Sequence, residues 1–343
     1  MKKNIKNLSK DELFGYFDKI GEKKFRTSQL YNAIYTNRVT SFEAINNFPA
    51  KLKTQLETDF CVQSLTLKDT MTSADGSVKF LFETLDNNYV ESVFLPNKDV
   101  ENEHNTLCLS TMIGCPIGCS FCASGRLNYV RNLDIAEIVE QIIFIQNYFP
   151  DIRIKNAVFM GIGEPLLNYD NLINAIEIIL EFNLLNRKSI TISTIGIPDA
   201  IVKLANSGLK IKIAFSLHFP TDEVRKKYIP IKFKIEETLK ALDYYYQNTR
   251  LPITIEYILL EGINDSENEI KKLAKIARRF PSVINLIPYN SSFSDLGLIG
   301  CNATKTRDFA RKLYDEDILV ITRKSQGKDI SAACGMLAYL QAT

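Results

Sequence analysis

From residue 106 to residue 325 short apolar runs alternate with longer amphipathic ones, and this alternation restricts the fold more than any other feature of the chain. The runs Thr106–Ser110, Ala157–Met160, Ser189–Ser193, Ile211–Ser216, Ile253–Leu259, Val283–Ile287 and Ile318–Ile321 read as strands. Helical spacing fills most of the intervals. One interval opens at Asp134, where Glu137 completes a capping box ahead of Ile138, Ile142 and Ile145. Repeated βα units with apolar strands imply a parallel sheet with helices outside. About six such units can curl into a partial barrel, so the expected class is α/β, a partial (βα)6 barrel with ligands on the loops after the strand C-termini.

Two smaller regions precede the barrel. Over residues 9–59, Leu13, Tyr16, Phe17 and Ile20 recur at helical spacing, as do Leu30, Ile34 and Tyr35, with polar breaks at 21–24 and 46–49. From Val62 to Pro96 the pattern changes to strands: Val78, Phe80 and Phe82 share one face, and Asp86-Asn87-Asn88 is a turn before Tyr89–Leu95. Residues 97–105 are polar and read as a loop. The expected organisation is a small helical domain over 1–60, a β extension and linker over 61–104, and the barrel over 105–343. No internal repeat or low-complexity tract interrupts it.

Composition narrows the function classes. The 343 residues suit one large domain with a small one. The net charge of +2 announces no nucleic-acid partner. The first 60 residues hold eleven Lys and Arg against seven Asp and Glu, a surplus small enough for a solvated face. No apolar run approaches the ~20 residues of a membrane span, and the start Met-Lys-Lys-Asn-Ile-Lys lacks the apolar core of a signal peptide. Seven cysteines in no secreted pattern read as reduced thiols in the cytoplasm.

Three of those thiols dominate the chemistry. Cys115, Cys119 and Cys122 lie in Gly-Cys-Pro-Ile-Gly-Cys-Ser-Phe-Cys, a C-x3-C-x2-C spacing with an aromatic before the last cysteine. Three thiolates on one loop suit a soft metal centre, one ligand short of a closed tetrahedral site. Iron–sulfur clusters are usually held by four Cys thiolates, so three leave one iron open to a substrate. A zinc knuckle would need a fourth Cys or His nearby, and the only histidines are His104 and the distant His218.

Other polar residues cluster at strand ends. Gly161-Ile162-Gly163-Glu164-Pro165 follows the run Ala157–Met160; its glycines allow close backbone approach, and Glu164 could accept from a ligand ammonium. Ser193 and the Ser216-Leu217-His218 turn end the next two strands and could serve a ribose or carboxylate. Asn290 ends a later one, where turn chemistry is the plainer reading. Cys334, among small residues and before Gly335, sits in a tight, accessible segment, and Cys108 lies two residues before Ser110. Cys61 and Cys301 read as packing.

Taken in order, Cys115/Cys119/Cys122, Gly163-Glu164, Ser216-Leu217-His218, Pro288-Tyr289-Asn290 and Ala332-Ala333-Cys334-Gly335 resemble the RlmN/Cfr class of radical S-adenosylmethionine (SAM) RNA methyltransferases. The likeness runs nearly end to end and includes Lys24-Phe25-Arg26 and Val90-Glu91-Ser92-Val93. The string Gly-Ile-Gly-Glu-Pro-Leu-Leu-Asn at 161–168 resembles the RlmN branch, which methylates adenine carbon 2 rather than carbon 8.

The resemblance implies a 4Fe–4S cluster on Cys115, Cys119 and Cys122, and a SAM site drawing on Gly163, Glu164, Ser193, Ser216, Leu217, His218 and Asn290. It implies two SAM per turnover. One methylates Cys334; the other yields a 5′-deoxyadenosyl radical that abstracts hydrogen from that methyl group. The carbon radical adds to adenine, Glu91 removes the ring proton, and Cys108 attacks the Cys334 sulfur to release product with a transient disulfide. The implied partners are 23S rRNA at the peptidyl-transferase centre, anticodon-loop adenosine of tRNA, and an electron donor of flavodoxin or ferredoxin type. The enzyme would act as a monomer, with the helical module helping to grip RNA. The chain departs from the family pattern at Met112 and Met336 (usually Gln), Ser331 (usually Asp) and Gln326 (usually Arg). It is also one residue short near 229–233 and has a longer loop between Glu91 and Cys108.

Three other readings compete: a carbon-8 methyltransferase, a radical-SAM enzyme acting on peptide or protein, and a non-catalytic RNA binder. The second would want further cysteine clusters, and after Cys122 only Cys301 and Cys334 remain. Intact cluster cysteines argue against the third.

Overall fold

The computed structural model describes residues 2–97, 105–290 and 297–338. The loop expected over 97–105, with His104, lies outside the described residues except for its two ends.

A short strand β1 (Lys3–Asn4) pairs in parallel with β2 (Phe60–Cys61), bringing together the ends of a helical segment made of α1 (Lys10–Lys19), α2 (Phe25–Tyr31) and α3 (Ala50–Asp59). α1 starts where Ser9 Oγ accepts the Glu12 N–H and the Glu12 carboxylate accepts the Ser9 N–H, satisfying two orphan donors at once. Leu13, Phe17, Leu30, Ile34, Leu52 and Leu56 are buried in an apolar core continuous with that of the barrel.

Three antiparallel strands follow: β3 (Leu65–Thr72), β4 (Val78–Thr84) and β5 (Tyr89–Leu95). β5 pairs antiparallel with β6 (Asn105–Cys108), and β6 begins the parallel sheet. Next, β7 (Met112–Ile113) and β8 (Arg131–Asn132) form a small hairpin that brackets the cysteine loop. Strands β9 (Ile154–Phe159), β10 (Ile190–Thr194), β11 (Lys212–Ser216), β12 (Ile253–Leu259), β13 (Ser282–Pro288) and β14 (Val320–Thr322) complete the parallel part. The order in the ten-stranded sheet is β14-β13-β12-β11-β10-β9-β6-β5-β4-β3, with β3 and β14 at opposite edges, so the barrel is partial and open. The connecting helices are α4 (Ile135–Tyr148), α5 (Tyr169–Glu181), α6 (Pro198–Asn206), α7 (Asp222–Tyr228), α8 (Ile235–Thr249), α9 (Glu267–Ala277) and α10 (Ala303–Asp315). The capping box read at Asp134 and Glu137 opens α4.

The run Ile253–Leu259 is a strand with the expected ends, and the other strand ends lie within three residues of expectation. The run read as ending at Ser193 continues to Thr194, because Ile190, Ile192 and Thr194 alternate as the buried face. Two ionic knots join the regions. Glu140 of α4 pairs with buried Lys6 at 3.0 Å and accepts from Asn4 and from the Ser64 and Leu65 N–H groups. Arg131 forks onto Asp86 at the β4–β5 turn and onto Glu137 in the first turn of α4, all at 2.7–2.8 Å.

Candidate active site

The cysteine loop is set by backbone geometry at its entry. Gly114 adopts φ +71°, and a Cβ there would lie 2.0 Å from the Asn128 carbonyl oxygen, so only glycine lets the two stems of the loop cross. Beyond it, the Cys122 N–H donates to the Cys119 carbonyl at 3.1 Å and the Gly125 N–H to the Cys122 carbonyl at 3.0 Å, coiling the three thiols around one recess. All three border a cleft of about 970 Å³, counting space open to solvent.

The opposite wall comes from the strand ends. The turn after β9 supplies Gly163, where φ is +105° and an added Cβ would lie 2.6 Å from Met112 Cβ, so a side chain is excluded. Glu164 is buried on this wall. Its Oε1 accepts the Leu166 N–H at 3.2 Å and its Oε2 the Ile195 N–H at 2.9 Å. Burial pushes its pKa up to about 7, against the pull of hydrogen bonds from Thr194, Ile195 and Leu166. Ser193 and Ser216 touch through their hydroxyls at 3.2 Å. His218 takes φ +56° after β11 and presents its ring to Phe121 edge-on at 5.2 Å. Its Nδ1 accepts the Ile258 N–H at 3.2 Å. Burial, then Arg225, drives its pKa down to about 3, so the ring is neutral.

Arg225 of α7 is fully buried and donates to the carbonyls of Ile195, Ser216 and Leu217 at 2.6–3.1 Å, locking the ends of β10 and β11. Leu217 is a core residue, and neither it nor Asn290 is among the side chains that border the cleft.

Cys334 joins the same wall as the three loop thiols. The Ala123 N–H donates to the Gly335 carbonyl at 2.7 Å and Ser124 Oγ to the Leu337 carbonyl at 2.6 Å, laying the C-terminal segment along the cysteine loop. Cys334 is exposed as a residue, yet its sulfur sits in a protein-crowded recess that pushes its pKa up. A second, smaller cavity is bordered by Cys334, Cys108, Cys122 and Arg323. Burial raises the Cys108 thiol to about 12, and Arg323 is the cation that pulls against it on both Cys108 and Cys334.

Glu91 stands one layer behind. It borders neither cavity; it lies on β5, buried, with Lys79 Nζ at 3.1 Å from Oε1. Sequence reasoning missed Glu256, which borders the main cleft, Arg323, which borders the smaller cavity, and Arg225 behind the strand ends. The available signal was a lone charge in or beside an apolar strand, which burial makes expensive unless it serves a ligand or a network.

The donor set fits a cluster with SAM. Burial raises all three loop thiols, Cys115 to about 11, and an iron-bound thiol is deprotonated outright. Among the described residues no three His, Cys, Asp or Glu groups converge on a single-ion point. A multi-iron cluster takes one thiolate per iron and needs no such point. The open side of the recess faces Glu164, the two serines and the backbone cradle at Gly163.

The fold and this site define a radical-SAM protein. The sequence pattern described as the radical SAM superfamily matches residues 109–274, and that of the ribosomal RNA large subunit methyltransferase N-terminal domain matches residues 3–62. A probable dual-specificity RNA methyltransferase RlmN of Thermotoga maritima is 40% identical over 340 residues, covering 98% of this chain and 97% of its own. Its counterpart in Chlorobaculum tepidum is 38% identical over 352 residues, covering 98% and 92%. A crystal structure of a radical SAM methyltransferase from Sphaerobacter thermophilus superposes with a TM-score of 0.91 at 30% identity, covering 97% of this chain and 98% of that one. The chain therefore belongs to the RlmN family of radical-SAM RNA methyltransferases, a family whose members bind a 4Fe–4S cluster and SAM. No helix among the described residues is long and apolar enough to cross a membrane.

Proposed function

We propose that this enzyme methylates carbon 2 of an adenosine in 23S rRNA and in tRNA anticodon loops, through a methyl group carried on Cys334. The observation that carries this reading is the placement of Cys334 on the cleft wall shared by Cys115, Cys119 and Cys122, with Cys108 in the adjoining cavity. Cys115, Cys119 and Cys122 would hold the cluster, and Gly163, Glu164, Ser193, Ser216 and His218 would hold SAM, with Leu217 and Asn290 contributing backbone or turn partners. When bound, the cluster supplies SAM with an electron and so a route to activating an unreactive C–H bond.

The chain's own residues do the rest. Cys334 presents the one-carbon unit and forms the covalent link to the base. Glu91 takes the ring proton. Once the unpaired electron left on the adduct has passed to the oxidised form of the electron-carrier protein, Cys108 as its thiolate attacks the Cys334 sulfur: the S–S bond forms, the S–C bond breaks, and its electron pair goes to the departing carbon, which takes up a proton as the product methyl. A thiol reductant restores both cysteines. The unstacked adenosine would be read as splayed bases are read in RNA, with the helical segment 1–60 helping to grip the RNA. A flavodoxin- or ferredoxin-type donor, two SAM per turnover and a monomeric enzyme complete the reading.

The test is Cys334→Ala in anaerobically reconstituted enzyme. SAM cleavage is expected to survive while methyl transfer to RNA is lost; methylation at the wild-type rate would overturn the two-step scheme. Mass spectrometry of the modified nucleoside decides between carbon 2 and carbon 8.

A further inference from the structure

We propose that Lys79 is a positioning residue for the proton-transfer step: its ammonium occupies one oxygen of Glu91 and keeps the group a carboxylate, leaving the other oxygen to receive the adenine ring proton. This rests on the reading of Glu91 as the base. In the step concerned the ring C–H bond breaks, the proton goes to Glu91 Oε2, and the electron pair stays with the ring.

Register creates the pair. Leu81 faces Glu91 and Lys79 faces Val93 across β4 and β5, so Lys79 and Glu91 are diagonal neighbours on one face. Lys79 Nζ lies 3.1 Å from Glu91 Oε1, with the side chains only 9% and 3% exposed. Oε2 is buried and has no hydrogen-bond partner among the described residues. A buried acceptor without a partner costs roughly 1–3 kcal/mol, and one left so in a native structure calls for a functional explanation.

The same face links Glu91 to the proposed chemistry. Val93 and Leu95, at the next alternate positions of β5, share one apolar cluster with Ile330, Ala332 and Leu337, which flank Cys334 in the chain, and Cys108 packs against that cluster. Ser110 Oγ donates to the Glu91 carbonyl at 2.6 Å and accepts the Ile162 N–H at 2.8 Å, tying this backbone to the turn that cradles the cleft. The type of cation matters. An arginine fork would cover both carboxylate oxygens, whereas the lysine point charge takes one. Lys79 on β4 is the one charged group that acts on Glu91 among the described residues. The cysteine-loop hairpin and the described part of the C-terminal segment, to residue 338, bring none. Burial raises the Glu91 pKa above the ordinary carboxylate value, and Lys79 pulls the other way and limits that rise.

The experiment measures the pH profile of single-turnover methylation of a transcript of the 23S rRNA peptidyl-transferase hairpin by reconstituted wild type, Lys79→Met, Lys79→Gln, Lys79→Arg and Glu91→Gln. Bound iron and thermal midpoint report folding, and Lys79→Gln serves if Lys79→Met does not fold. In Lys79→Met the acid limb is expected to move up by about one unit, an approximately tenfold loss on that limb that recovers at higher pH. Lys79→Arg should return the limb to its place with a lower plateau. Difference infrared spectra, wild type minus Glu91→Gln, should show the carboxylate band titrating at higher pH once Lys79 is removed. An unmoved limb and an unmoved band in folded Lys79→Met would overturn the inference. Full activity in Glu91→Gln would instead overturn the reading of Glu91 as base.

Discussion

Gly163 shows how a single missing side chain shapes the site. Its φ of +105° is closed to most residues, and Met112 Cβ already occupies the space a methyl group would need. Gly163→Ala should cost roughly 1–3 kcal/mol of stability and weaken SAM binding more than iron binding. Thermal melts and equilibrium dialysis with labelled SAM check this; unchanged affinity would detach Gly163 from the SAM site. Cys108 carries a different prediction. If it releases product by attack on Cys334, Cys108→Ser should accumulate enzyme covalently attached to RNA, visible as a shifted band on a denaturing gel. Rapid turnover without that band would remove Cys108 from the scheme. Such roles were unevenly legible in the chain. The spacing of Cys115, Cys119 and Cys122 by itself points to a soft-metal centre with one open position. Cys334 stood out locally only as a thiol among small residues before Gly335; its role, and Glu91 altogether, came through a family resemblance.

Between elements, the hairpin of β3 and β4 fastens the segment that carries Cys334. At its tip the Asp75 carboxylate accepts the Gly327 N–H at 2.8 Å, while Asp329 accepts from Ser73 Oγ at 2.6 Å and from the Ala74 N–H at 3.1 Å. Burial works to raise Asp75, but hydrogen bonds from Ser77, Gly327 and Ser73 outweigh it and hold the pKa at about 2. A carboxyl depressed in the folded state adds stability that is full above its unfolded value, near 4, and is lost as pH falls towards about 2. Asp75→Asn should therefore lower the melting temperature at pH 7 and converge on wild type as pH drops through that window. Asp329→Ala should loosen the Cys334 segment, read as faster amide exchange over 330–338, and slow methyl transfer. The strands that make this clasp were foreseeable from alternation, but its closure was not: it joins residues from opposite ends of the chain that no periodicity connects.

For the molecule as a whole, one apolar core runs from the N-terminal helices through the open barrel. Glu140 is the ionic joint between them, with Lys6, Asn4 and two backbone N–H groups converging on its carboxylate. Removing one partner of a buried pair leaves the other charge uncompensated, so Glu140→Ala should cost about 3–5 kcal/mol. Urea unfolding checks this, and a loss below ~1 kcal/mol would mean that water already reaches Lys6. Read alone, the chain was enough to establish the α/β alternation, the close spacing of the three loop thiols and the strand-end turns, since each depends on neighbours within a few positions. The approach of Cys334 to the loop thiols, the half-paired Glu91 beside Lys79, the burial of Arg225 and Glu256 and the placing of Arg323 beside Cys108 and Cys334 were decided in three dimensions. Strand register and long-range packing set those distances, and neither is written in any short window of residues.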